Sequence, residues 1–215
     1  MPKTKTLTFD EKEHKYYWGG VLVPSVTQIL QVLYDLSHIP KHILEAAAAR
    51  GGATHKMVQL YLQGILNESK LSEDLKECLH QFQLFMENPN DGGRFDISSA
   101  VLEYPMVSGG KFRYAGTPDI IVDGQVIIDI KRRVFNEWFQ NYVNPLQLEA
   151  YETLWVDNGG SRDGHEHWNL YLYPDRYLFI KARNGQSRQM FRKLLKHWYA
   201  QQEMEALVIA WQKQQ

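Results

Sequence analysis

The chain has 215 residues, 44% of them hydrophobic, and a formal charge of −1 at pH 7, which is enough to bury a substantial core in one domain. The near-neutral balance excludes the strongly basic signature of a protein that coats nucleic acid, yet leaves room for a local basic groove. One cysteine, Cys78, excludes an internal disulfide and the cysteine quartet of an iron–sulfur cluster, and points to a reducing compartment.

In chain order, Thr6 to Phe9 and Lys15 to Val23 read as a small hairpin, and Pro24-Ser25 introduces a helix starting near Val26. Ile43 to Gln63 is a stronger helix, closed by Gly64. Leu71 to Met86 is another, with Ser72 as its cap and Glu73-Asp74 placed favourably in its first turn. Strands follow over Val101 to Val107, Phe112 to Val122 and Gln125 to Lys131. A helix from Pro145 to Asp157, which Asn144 can cap and Gly159-Gly160 ends, leads to strands over Trp168 to Tyr173 and Tyr177 to Lys181 around Pro174-Asp175. A helix over Ser187 to Gln212 closes the chain. The pattern predicts one α/β domain: an N-terminal hairpin and helical lobe over 1–90, a core over 95–182 and a terminal helix over 185–215. There are no internal repeats, no phosphate-binding Gly-x4-Gly-Lys-Ser/Thr loop, no apolar run of membrane-spanning length and no signal-peptide core at the N-terminus.

The most informative segment is Asp129-Ile130-Lys131, reached from Pro118-Asp119 through an Asp123-Gly124 turn. Side chains alternate along a strand, so Asp129 and Lys131 share a face while Val126, Ile128 and Ile130 take the other, with Ile120 and Val122 as the matching apolar set. Asp119 joins the Asp129 face only if the turn has an odd number of loop residues, as in a type I turn followed by a left-handed Gly124 in a bulge. Two carboxylates brought this close are costly without a cation between them, so the pair reads as a site for a hard divalent ion. Alone, Asp-x-Lys also suits a solvated stripe on a surface strand. Gln147 and Tyr151 are four apart on a helix and lie on one face, where they can act as a unit or pack on the sheet. Lys131-Arg132-Arg133, and Arg188, Arg192, Lys193 and Lys196 on the last helix, can track phosphates or simply face solvent. Trp138, Phe139 and Tyr142 can stack on unpaired bases or serve as core contacts.

Pro118-Asp119, then Asp129-x-Lys131 after nine residues, then Gln147-x3-Tyr151, preceded by an Arg50-Gly51 helix carrying His55, resembles the PD-(D/E)XK nuclease superfamily, and within it the RecB-like and phage-type exonuclease branch. The resemblance runs from Pro24 to Pro174, with Asp129 standing where many members have Glu. It implies an α/β fold with a restriction-endonuclease-like core, a mixed central sheet flanked by helices. It further implies that Asp119, Asp129, His55 and the carbonyl of Ile130 bind Mg2+ or Mn2+, and that Lys131 is the catalytic lysine. Gln147 and Tyr151 orient that lysine or contact the nucleic-acid backbone. Glu103 matches an acidic position that often faces the same site, although a surface carboxylate is an equal reading. Arg50, Arg132, Arg133, Trp138 and Tyr151 are the nucleic-acid-binding candidates. The implied activity is exonucleolytic hydrolysis of DNA, single- or double-stranded with a free end, by a metal-activated water that leaves 5′-phosphates. The implied setting is recombination, repair or phage DNA processing in the cytoplasm of a bacterium or phage-infected host. A homo-oligomer or a single-strand annealing protein is the implied partner, and no membrane is. A structure-specific or restriction-like endonuclease and a non-catalytic nucleic-acid-binding module remain alternatives, the latter disfavoured by the intact Asp119, Asp129 and Lys131.

Overall fold

The computed structural model describes residues 6–10, 13–161, 164–182 and 185–213. At the N-terminus, β1 (Leu7–Asp10), β2 (Lys15–Trp18) and β3 (Val21–Val23) form an antiparallel meander. The stretch Lys15 to Val23 is two strands rather than one, because Gly19 and Gly20 both take positive φ, 59° and 82°, and turn the chain back. Ser25 caps α1 (Val26–Leu30): its hydroxyl accepts from Gln28 N at 3.1 Å while the Gln28 side chain accepts from Ser25 N at 2.8 Å. Helix α2 (Lys41–Leu62) ends before Gly64, whose φ of 70° supplies the expected stop. Helix α3 (Glu73–Glu87) begins after Ser72, but the Ser72 side chain makes no capping bond, so the acidic first turn is what favours this end.

Two expected strands are broken. Val101 to Val107 divides into β4 (Val101–Leu102) and β5 (Met106–Val107), because Glu103 takes φ 45° and Pro105 follows. Phe112 to Val122 divides into β6 (Ala115–Gly116) and β7 (Ile120–Val122), separated by Thr117-Pro118-Asp119, where Pro118 has no N–H for a ladder. Strands β5 and β6 pair in a small ribbon of their own. The central sheet adds β8 (Val126–Lys131), β9 (Glu166–Leu172) and β10 (Tyr177–Lys181) in the order β10-β9-β8-β7-β4, with β8 and β9 parallel and the other neighbours antiparallel. It is therefore the mixed sheet expected. The crossover from β8 to β9 is α4 (Asn144–Asp157), and α5 (Ser187–Gln212) packs on α4. Asn144 does not cap α4. The helix runs on from a π-helical turn over Phe139–Val143, and the Asn144 amide points inward, donating to Tyr171 Oη and Gln140 Oε1 and accepting from Arg133.

The hairpin between β7 and β8 sets everything that follows. Val122 pairs with Val126 around the three residues Asp123, Gly124 and Gln125, the odd number expected. The expected turn type does not form: Asp123 and Gly124 both have positive φ, 50° and 66°, and Gln125 N donates to Val122 O at 3.0 Å, so Gln125 is the extra residue. The same register pairs Ile120 with Ile128 and sets Asp119 across from Asp129. Ile120, Val122, Val126, Ile128 and Ile130 thus pack under α2 and α3, while Ile121 and Ile127 pack under α1, α4 and α5. Trp155 of α4 holds the turn, its Nε1 donating to the Gly124 carbonyl at 3.1 Å.

Gly160 gives this indole its room: an added Cβ would stand 2.1 Å from Trp155 Nε1. Gly160→Ala should lower stability by about 1–3 kcal/mol through overpacking, read as an earlier urea midpoint. Gly51→Ala, within α2 and with nothing within 4 Å of the new Cβ, should be neutral or stabilising by up to about 1 kcal/mol.

Candidate active site

A cleft of about 410 Å³ opens between α2, the N-terminal meander and the end of the β7–β8 pair. Asp119, just before β7 and buried, splits its carboxylate. Its Oδ2 accepts from Ile130 N at 2.6 Å, and its Oδ1 lies 3.1 Å from His55 Nδ1. His55 reaches the site from α2, with Nε2 3.0 Å from the Ile130 carbonyl. Glu103, turned by its positive φ and tied by its N–H to the Asp119 carbonyl at 3.1 Å, brings Oε1 to 3.9 Å from His55 Nδ1. Asp129 and Lys131 project together from β8 and form an ion pair.

Helix α4 lies over this face and continues the chain of bonds. Lys131 Nζ donates to Gln147 Oε1 at 2.7 Å, and Gln147 Nε2 donates to Tyr151 Oη at 3.0 Å. The spacing of four is what puts these two side chains one above the other. Because the Tyr151 oxygen is an acceptor in this relay, its own hydrogen remains free to be donated.

Electrostatics in the cleft are dominated by crowded carboxylates. Burial pulls the His55 pKa down, but Asp119 above all, with Asp129 and Glu103, outweighs it and holds it at about 9. Burial, then the Asp119 charge, pushes Glu103 up to about 7. Burial also raises Asp129, against the pull of Lys131. Burial drives Tyr151 well above the ordinary tyrosine range, so it stays protonated. One donor atom each from His55, Glu103 and Asp119 lies within 4.8 Å of the others. A carboxylate-rich set with one imidazole, beside the Ile130 carbonyl, fits a divalent cation. Asp129 is not in this compact set, being turned to Lys131.

The structure therefore gathers Lys131, Asp119, Asp129, Gln147, Tyr151, His55, Ile130 and Glu103 around one cleft. It does not bring the other candidates there. Arg132 is paired with Asp74 of α3 at 2.6 Å. Arg133 is bonded to Asn144 and stacked on Phe139, 4.1 Å from the ring centroid. Arg50 is exposed on α2, and Trp138 is exposed beside Phe139 and Tyr142; none of these lines the cleft. Besides Phe9, the meander contributes two polar residues to the cleft, His14 and Tyr16. His14 is lowered in pKa by burial and by His55. Tyr16, bonded to Thr117 at 2.8 Å, is pushed by burial to about 12. Neither lies in a recognisable motif: Tyr16 alternates within the short β2, and His14 sits in the turn before it. Asn169, the register partner of Asp129 on β9, is fully buried, and neither atom of its amide has a hydrogen-bond partner among the described residues.

No helix among the described residues is long and apolar enough to cross a membrane. No protein family and no curated protein matches the sequence. Among solved structures, a "putative exonuclease" from Eubacterium rectale superposes with a TM-score of 0.50 at 12% identity, over 68% of this chain and 64% of that one. The chain thus spans less than two thirds of that protein. An alkaline exonuclease from Laribacter hongkongensis superposes with a TM-score of 0.47 at 11% identity, over 89% of this chain and 93% of that one, a fit too loose to add to the first. At such identity the likeness is one of fold. In fold the chain is similar to the first of these structures, and Asp119, Asp129, Ile130, Lys131, Gln147 and Tyr151 stand around one cleft of that fold.

Proposed function

We propose that the cleft hydrolyses phosphodiester bonds of DNA with the help of a divalent metal ion, working from a free end. The observation that supports this most is the convergence of Asp119, Glu103 and His55 beside a lysine held between Asp129 and Gln147. His55, Asp119 and Glu103 would hold the ion, with the Ile130 carbonyl and Asp129 next to it. Bound there, Mg2+ or Mn2+ would lower the pKa of a water and stabilise charge on the leaving oxygen. Lys131 orients the attacking water and neutralises charge gathering on the phosphate. Gln147 keeps the ammonium in place, and Tyr151 donates its free hydrogen to a phosphate oxygen. Work from an end, rather than within a strand, is supported only by the similarity in fold to a structure carrying an exonuclease name.

Lys131→Ala should lower cleavage by about 10²-fold or more while leaving DNA affinity within a few-fold. The check uses end-labelled linear and covalently closed circular DNA, single- and double-stranded, with Mg2+, Mn2+ or chelator. Loss of linear DNA alone, stopped by chelator and by the substitution, supports the reading. Cutting of circles would replace it with an endonuclease, and metal-independent or Lys131-independent cutting would sink it.

A second expectation concerns pH. His55 is raised from 6.5 to about 9 and Glu103 from 4.5 to about 7, so both bind a proton more tightly folded than unfolded. For a raised pKa the contribution to stability is complete below the unfolded value and is lost as pH climbs through the folded one. Metal-free protein should therefore lose stability between about pH 4.5 and about pH 9. A divalent ion takes the place of those protons, so its stabilising effect should grow over the same range. Melting temperatures measured with chelator and with Mn2+ at about pH 6 and about pH 9 test this; an equal metal effect at both would contradict it.

A further inference from the structure

Beneath α4, on the side of the sheet that carries Asp129, lies a second cluster of ionisable groups. Strand β9 places His167 opposite Ile127 in the register, and the side chain is fully buried. Its Nε2 is paired with Glu152 Oε2 at 3.0 Å, while its Nδ1 has no hydrogen-bond partner among the described residues. His165 has a side chain only 2% exposed and approaches the same carboxylate from the start of β9. Its Nε2 faces the Gly124 carbonyl at 3.0 Å, a contact that requires the hydrogen on Nε2. In the neutral ring this leaves a lone pair on Nδ1, unpartnered and 3.5 Å from Glu152 Oε1. Glu152 Oε1 already accepts from Arg188, whereas Oε2, the oxygen beside His167 Nε2, receives nothing from that guanidinium.

Arg188 already supplies one charge, donating from Nε to Glu149 Oε1 at 2.5 Å and from Nη2 to Glu152 Oε1 at 2.6 Å. It engages one oxygen of each carboxylate and leaves the other, and two carboxylates against one guanidinium leave one negative charge over. Glu149, Glu152 and His167 each offer a donor atom within 4.8 Å of the others. Arg188 and Glu149, at the edge of the cluster, also line a cavity of about 530 Å³ beside α4 and α5; Glu152, His165 and His167 do not line it.

We propose that Glu149, Glu152 and His167, with His165 as a further nitrogen donor, form a second metal site that takes a zinc-class ion. Imidazole and carboxylate together select zinc over magnesium, and donors at this spacing can close to the roughly 2.0–2.2 Å of zinc coordination by small side-chain shifts. Arg188 keeps its bonds to the outer oxygens and acts as the orienting partner of the two carboxylates. The ion's place in the fold is structural. It ties α4 to β9 and, through His165 and Gly124, to the β7–β8 turn. None of these residues lines the cleft described above, and the inference stands whether or not that cleft is a nuclease.

The test uses the full chain carrying Asp119→Asn and Asp129→Asn, which weakens metal binding in the cleft. After metal stripping, titration with Zn2+ and with Co2+ should show about one ion per chain, visible d–d absorption for Co2+, and a higher melting temperature with Zn2+ but not with Mg2+. His167→Asn should lose the ion, and Glu149→Gln should weaken it at least tenfold while the far-ultraviolet circular dichroism is kept. If His167→Asn fails to fold, the titration of the parent double variant still decides. Absence of stoichiometric Zn2+ and Co2+ binding there would overturn the proposal and leave an ion-pair network around Arg188.

Discussion

The bond from the Ile130 N–H to the Asp119 carboxylate is the contact on which the site depends. Strand β7 begins only at Ile120, so the ladder has run out where Ile130 still has a buried donor to satisfy. A side chain takes the place of the missing strand. That single bond of 2.6 Å anchors Asp119 beside Asp129, leaves its second oxygen facing His55, and explains why the chain breaks at Thr117-Pro118 without losing the geometry. The extra residue Gln125 in the turn makes the anchoring possible, because a closing pair one residue earlier would send Asp119 toward α2 and α3.

The cost of this arrangement is electrostatic. Asp119, Asp129 and Glu103 are drawn together where water is scarce, and the fold relieves the strain by holding protons: on His55, and near neutrality on Glu103. Lys131 offsets Asp129 directly. A site that binds protons for want of a better cation is suited to exchange them for a divalent ion. The positive φ of Glu103 belongs to the same balance, since it turns a third carboxylate toward the pair instead of letting β4 continue.

The parts of this that could be read in the sequence were those governed by strict periodicity. Alternation along Val126 to Lys131 and the Asp-Gly turn fixed which residues share a face, and a spacing of four placed Gln147 under Tyr151. What escaped depended on contacts between distant elements. Arg132 and Arg133 look like phosphate ligands in sequence, but Asp74 and Asn144 occupy them. Val101 to Val107 and Phe112 to Val122 look like continuous strands because apolar residues are dense in both, and local breaks at Glu103 and Pro118 decide otherwise. His165 and His167 were missed because a strand was expected from Trp168, and polar residues at its start give no signal of burial.

Helix α4 connects these observations. Asn144, Glu149, Tyr151 and Glu152 are buried in it among the apolar residues, so it has no solvent-facing polar side of the usual amphipathic kind. Each polar group must then find a partner within the protein or be costly to keep. Gln147 and Tyr151 find theirs in Lys131 and in each other; Asn144 finds Arg133, Gln140 and Tyr171; Glu149 and Glu152 find Arg188. The packing of α4 against the sheet therefore fixes more than a hydrophobic layer. It converts burial into position, because α4 cannot slide along β8 and β9 without leaving several buried donors and acceptors unpaired at once, and the placing of Lys131 inherits that rigidity.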